Sequence, residues 1–207
     1  EDDHQVQVSP TDYYFTDAIT DKAIGMIEES VSLAQPFFLY LAHNAVHFPL
    51  YPGKDFQRKS ANGSYGDWVE EVDWSVGQVL AKLKELGLDE NTIVMYSTDN
   101  GAEAFTWPDG GTTMFRGEKN TQWEGGYRVP TLIKWPGVIK PGTVVNEIGA
   151  HEDMLTTLVA AAGDTTAKDE LKKGRKIGNA TYKVHLDGYD LGPALRGQAA
   201  WPRKEFI

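Results

Sequence analysis

Apolar residues early in the chain recur with a helical period and then close up into an unbroken run. Ile19, Ala23, Ile27, Val31 and Ala34 share one face, which predicts a helix over 16–34. Thr16 is its expected cap, Asp17 complements the N-terminal dipole and Pro36 stops it. Phe37-Phe38-Leu39-Tyr40-Leu41-Ala42 follows without a polar break, as expected of a central strand covered on both faces. A loop rich in proline and glycine leads to the clearest helix, over 64–86. Its apolar stripe is Tyr65, Val69, Val72, Val76, Leu80 and Leu83, Ser64 with Asp67 fits a capping box, and Gly87 stands where a left-handed cap falls.

Residues 92–97 form a β-branched apolar run that predicts a second buried strand, and 131–135 a third, stopped by Pro136-Gly137. A helix is expected over 151–163, with Met154, Leu155, Leu158, Val159 and Ala162 inward. Strand, long helix and strand in succession make a right-handed βαβ crossover. The fold class is therefore α/β, with a largely parallel or mixed sheet flanked by helices. Polar and charged residues between 164 and 179 place a boundary after a sheet domain over 1–163, leaving 164–207 as a trailing segment.

In such folds ligands gather beyond the carboxyl ends of the strands. There the chain delivers Thr98-Asp99-Asn100-Gly101, a turn holding two hard oxygen donors suited to Ca²⁺ or Mg²⁺. His43 and His47 follow the first strand, and His47 is a candidate oxyanion ligand or leaving-group acid. Lys119, in a glycine-rich loop between Arg116 and Gly125-Gly126, brings a fixed charge to the same rim. Plainer roles compete: Asp-Asn-Gly is commonly only a turn, and Glu124-Gly125-Gly126 a backbone bend. Glu70, Glu71 and Asp73 read as the solvated face of their helix, and Trp107, Trp123 and Trp135 as packing. Asn62-Gly63-Ser64 and Asn179-Ala180-Thr181 match a glycosylation sequon that is common by chance.

Composition narrows the partners. A hydrophobic fraction of 41% supports a packed core, and a net charge of −10 argues against nucleic acid, whose phosphates need clustered Lys and Arg. The absence of cysteine removes disulfides, thiolate metal sites and thiol nucleophiles. No apolar stretch approaches a membrane span, and no signal peptide is visible at the acidic start. Both ends look cut.

Taken in order, these segments resemble the type I sulfatases, specifically the bacterial arylsulfatase-like branch of the alkaline-phosphatase superfamily. The resemblance is carried by residues 14–23, by 37–50 with its histidine loop, by Tyr65-Gly66-Asp67 onward, by Ser97–Gly101, and by Phe115–Lys119 through Pro130. It implies a partial alkaline-phosphatase-like fold and hydrolysis of a small sulfate monoester. It further implies that Asp99 and Asn100 bind Ca²⁺ (or Mg²⁺), and that Lys119 and His47 contact the sulfate and do the catalytic work. Arg116 is a lesser substrate contact or rim residue. The family's formylglycine nucleophile arises from a Cys/Ser-x-Pro-x-Arg motif that this chain lacks; Ser9-Pro10 has no such arginine, and Asp2-Asp3 do not match the family's other metal aspartates. The chain is therefore expected to be inactive alone. Family members are commonly periplasmic or secreted. Alternatives are a phosphomonoester, phosphodiester or phosphonate hydrolase of the same superfamily, a non-catalytic sulfatase-derived binding module, and a subunit of a split enzyme that self-associates through an exposed sheet edge.

Overall fold

The computed structural model describes residues 13–103, 111 and 113–206. Asp2, Asp3, Ser9, Pro10 and Trp107, noted above, lie outside these residues. The chain divides into two compact units, the first ending at Leu132 and the second starting at Ile133.

In the first unit α1 (Phe15–Ser32) packs along α2 (Gly63–Glu85). The seam is mixed rather than oily. Ala23 and Ile27 of α1 and Trp68, Val72 and Leu83 of α2 are buried, but so are Thr16, Thr20, Asp67, Glu71 and Ser75. Each buried polar group there needs a partner. Trp68 Nε1 donates to Thr16 Oγ1 at 3.0 Å. Thr20 Oγ1 donates to the Thr16 carbonyl and lies 2.5 Å from Ser75 Oγ, which in turn lies 3.4 Å from His43 Nε2. Since the single Thr20 proton is spent on Thr16, the chain runs from His43 Nε2–H through Ser75 to Thr20. Burial pushes the His43 pKa down, in keeping with a neutral ring.

The buried face of α2 is thus turned relative to the expected stripe: Val69 and Leu80 are exposed, and Glu71, expected in solvent, is fully buried. The reason is the preceding loop, which docks on α2 through two carboxylates. Asp67 accepts the N–H groups of Arg58, Lys59 and Ser60 at 2.7, 3.0 and 2.7 Å, and Glu71 Oε2 accepts that of Gly53 at 2.6 Å. The Ser60 bond, with those of Arg58 and Lys59, outweighs desolvation and holds the Asp67 pKa below its usual value. Asp67 therefore serves the loop and not a capping box; the cap residue is Asn62. Likewise Thr16 lies inside α1 rather than capping it, and α1 stops at Ser32, before Ala34 turns left-handed at φ 50°.

Among the described residues, 37–42 join no sheet ladder. Phe37, Leu39 and Leu41 are half-buried while Phe38 (69%) and Tyr40 (82%) are exposed, so one face only is packed, contrary to expectation. β1 (Val94–Ser97) pairs with β2 (Thr131–Lys134), and α3 (Glu124–Tyr127) is a single turn ahead of β2.

The second unit holds α4 (His151–Ala161), α5 (Ala167–Lys173), the antiparallel hairpin β3 (Arg175–Ile177) and β4 (Ala180–Tyr182), and α6 (Gly192–Leu195). The hairpin pairs Arg175 with Tyr182 and Ile177 with Ala180. The inward positions of α4 are polar: Asp153 and Thr157 are buried, while Leu155 and Ala162 are exposed. Asp153 accepts the N–H groups of Ala150 and Tyr189 and a two-pronged contact from Arg203 at 2.8 and 2.7 Å. Thr157 takes the N–H of Leu191 at 2.9 Å, so residues 189–191 are strapped to α4.

Candidate functional site

The predicted site residues arrive on three loops of the first unit, and the main chain ties two of these loops together. The turn after β1 is anchored where Ser97 Oγ donates to the Pro130 carbonyl at 3.1 Å. Gly101 N donates to the Gly126 carbonyl at 2.9 Å, Lys119 N to the Ala102 carbonyl at 2.9 Å, and Gly125 N to the Arg116 carbonyl at 2.8 Å. These contacts explain the glycines. A Cβ on Gly101 would stand 1.8 Å from the Gly125 carbonyl oxygen, and one on Gly125 2.1 Å from that of Gly117. No side chain fits at either position. The loop carrying Lys119 is closed further by Thr121 Oγ1, which donates to the Glu118 carbonyl at 2.6 Å and accepts the Glu118 N–H at 3.1 Å.

The third loop brings His47. Lys119 Nζ lies 3.1 Å from His47 Nε2, a contact across 72 positions of sequence. The tautomer follows from its other nitrogen: Nδ1 is 2.7 Å from the Phe48 carbonyl, an acceptor only, so Nδ1 carries the proton. Nε2 is then the acceptor and Lys119 donates to it. Glu103 Oε2 stands 4.0 Å from the same ammonium. The result is one cationic group held between the lone pair of an exposed imidazole and a carboxylate.

Asp99 is exposed, and its Oδ1 accepts a long 3.4 Å contact from Thr98 Oγ1. Asn100 donates through Nδ2 to the Gly101 carbonyl at 2.9 Å, leaving the amide oxygen as its remaining acceptor. Both residues fit a hard cation in donor type. They supply only part of the six to eight oxygens Ca²⁺ takes, and no group of three or more His, Cys, Asp or Glu side chains among the described residues converges as a metal cage. Arg116 lies elsewhere on the rim, its guanidinium 3.8 Å above the exposed Trp123 ring, and Arg128 sits 4.1 Å above Phe115 and 3.5 Å from Glu124 Oε1. His43 serves the buried polar seam.

Sequence reasoning missed Glu103 and the carbonyls of Ala102, Gly126 and Phe48. Backbone carbonyls leave no trace in residue identity, but an acid two positions after the Asp-Asn-Gly turn is visible in the sequence.

Fold and site define an α/β protein whose loops present a lysine, a histidine and an oxygen-donor turn near one rim. The sulfatase family model matches residues 1–164. Mouse steryl-sulfatase is 38% identical over 213 residues, covering 100% of this chain and 32% of that protein. Human arylsulfatase A is 39% identical over 174 residues, covering 84% and 31%. Among solved structures, the PsFucS1 sulfatase of Pseudoalteromonas sp. superposes with a TM-score of 0.80 at 29% identity, covering 91% of this chain and 36% of that one. The chain belongs to the sulfatase family, and it spans about a third of the length of these curated relatives, which are animal proteins.

Proposed function

We propose that this chain forms the oxyanion-binding and part of the cation-binding portion of a sulfatase that hydrolyses sulfate monoesters to an alcohol and sulfate by S–O cleavage. The observation that carries the reading is the 3.1 Å contact between Lys119 Nζ and His47 Nε2. A sulfuryl group entering here would take the lysine N–H now spent on the imidazole, so charge growing on the ester oxygens is met by a preplaced donor. His47 holds its Nδ1 proton on Phe48, so it can protonate a departing alcohol only as imidazolium, through Nε2. Asp99 and Asn100 would hold a Ca²⁺ ion, which when bound supplies Lewis-acid polarisation of a sulfate oxygen. Arg116, stacked on Trp123, is a rim contact for the rest of the ester. Membership of the sulfatase family supports the reaction class, and the names of the relatives, which span steroid and aryl esters, leave the alcohol open.

The test is hydrolysis of 4-methylumbelliferyl sulfate by the full-length protein. Lys119→Ala and His47→Ala are each expected to lower kcat/KM by about 10²–10³-fold, and Asp99→Ala to abolish calcium dependence. Turnover unchanged in Lys119→Ala refutes the assignment. The 207-residue chain alone is expected to stay at background.

A further inference from the structure

The ammonium of Lys119 does not face a guest alone. Glu103 Oε2 lies 4.0 Å away, and the two side chains are only 25% and 19% exposed. The pairing is built into the backbone, because Lys119 N is bonded to the carbonyl of Ala102, the residue next to Glu103. The neighbouring arginines are committed elsewhere, Arg116 on Trp123 and Arg128 on Phe115 and Glu124. The charge an incoming anion meets at this lip therefore includes that of Glu103 beside that of Lys119, with His47 as a polar third member and Arg116 and Asp99 as further charges on the same loops.

Building on the oxyanion-site reading above, we propose that Glu103 is a specificity-determining residue that makes the site choose its guest by charge, favouring a singly charged sulfate monoester over a doubly charged phosphate monoester of the same shape. Shape cannot separate the two, since both present a tetrahedral group with three terminal oxygens. Charge can: a phosphate monoester loses its second proton near pH 6 and a sulfate monoester has none to lose. A lone lysine favours the dianion, because its attraction scales with guest charge. A carboxylate beside it removes most of that advantage, since it repels the dianion twice as strongly, and the greater cost of stripping water from a dianion outweighs what is left. For charges several ångströms apart in a part-shielded site, one extra unit of repulsion corresponds to roughly tenfold in affinity.

The experiment titrates the chain, at fixed ionic strength and fixed calcium concentration, with methyl sulfate and methyl phosphate, following Lys119 and His47 by NMR. At pH 8 the wild type is expected to prefer methyl sulfate, and Glu103→Gln to narrow that preference about tenfold, mainly by gaining affinity for methyl phosphate. At pH 5, where methyl phosphate is a monoanion, the ratio of the two guests should differ by less than about twofold between wild type and Glu103→Gln. Equal gains for both guests at pH 8, or a narrowing that persists at pH 5, overturns the proposal. Lys119→Ala, run alongside, separates the two levels of argument. Loss of both guests in that variant supports the oxyanion site, so an unmoved ratio in Glu103→Gln then removes only the role of Glu103. No binding by wild type, or binding indifferent to Lys119→Ala, removes the site reading itself.

Discussion

Glu71→Gln should make the protein more stable at neutral pH, although it deletes a charge from a hydrogen-bonded carboxylate. Glu71 is fully buried, Oε2 accepts the Gly53 N–H at 2.6 Å, and Oε1 has no hydrogen-bond partner among the described residues. A methyl group on Gly53 would stand 2.7 Å from Glu71 Oε1 and 3.4 Å from Asp17 Oδ2, so the two acids border one small space. Burial, chiefly, and the nearby Asp17 charge raise the Glu71 pKa above its ordinary 4.5, against the opposing pull of the Gly53 bond. Burial also raises that of Asp17, with Asp21 and Asp55 adding to it. The folded state therefore binds the proton more tightly than the unfolded chain. Stability from this group is fully present below the unfolded value and is lost as pH rises through the folded one. Glutamine keeps an oxygen for Gly53 and turns an amide toward Asp17, replacing an unsatisfied charged oxygen worth about 1–3 kcal/mol. Thermal unfolding followed by circular dichroism from pH 4 to pH 8 should show the variant gaining about 2–4 °C per kcal/mol over wild type at the upper end. The gap should close toward pH 4. A gap independent of pH, or a less stable variant at pH 8, refutes the reasoning.

The second unit should respond to acid in the opposite sense. Burial opposes ionisation of Asp153, but Arg203 and the Tyr189 and Ala150 N–H groups outweigh it and lower its pKa, so its contribution holds above the unfolded value and fades as pH falls through the folded one. Asp153→Ala leaves the buried Arg203 only the partly exposed Glu152 carboxylate at 3.0 Å and removes the acceptor of the Ala150 and Tyr189 N–H groups, and should cost about 3 kcal/mol in urea unfolding of that unit; a loss under 1 kcal/mol would show the pair to be dispensable. Gly125→Ala forces a Cβ to 2.1 Å from the Gly117 carbonyl oxygen and should disrupt the Lys119 loop, read as lost His47 and Lys119 NMR contacts, with about 1–3 kcal/mol of destabilisation; an intact loop argues that the close approach is not needed. Phe38 and Tyr40 project from one face of residues 37–42, so sedimentation velocity is expected to show concentration-dependent self-association that weakens in Phe38→Lys/Tyr40→Lys; a wild type that stays monomeric, or a variant that associates equally, refutes this.

The helices were legible because periodicity reports burial, yet the buried faces were misjudged wherever polar side chains do the packing. On α2 the aliphatic stripe pointed to Val69 and Leu80, while the groove is filled by Trp68, Asp67, Glu71 and Ser75. These are buried because loop N–H groups and α1 hydroxyls satisfy them, and a hydrophobicity count cannot register that. The same holds for Asp153 and Thr157 on α4. The run at 37–42 has the composition of a doubly covered strand, and composition does not say whether a partner lies on each side. The site fared differently. His47 and Lys119 stood out through residue type and position, but what joins the Lys119 loop to the turn after β1 is main chain, and Glu103 went unnoticed because an isolated acid looks like surface.

Because the loops bearing Lys119 and Asp99 are clamped to each other by peptide groups and by glycines with no room for substituents, their side chains bear little of the work of holding the rim in shape. Outward-facing residues such as Arg116 and Trp123 can therefore be exchanged over generations while the clamped main chain beneath them keeps its geometry.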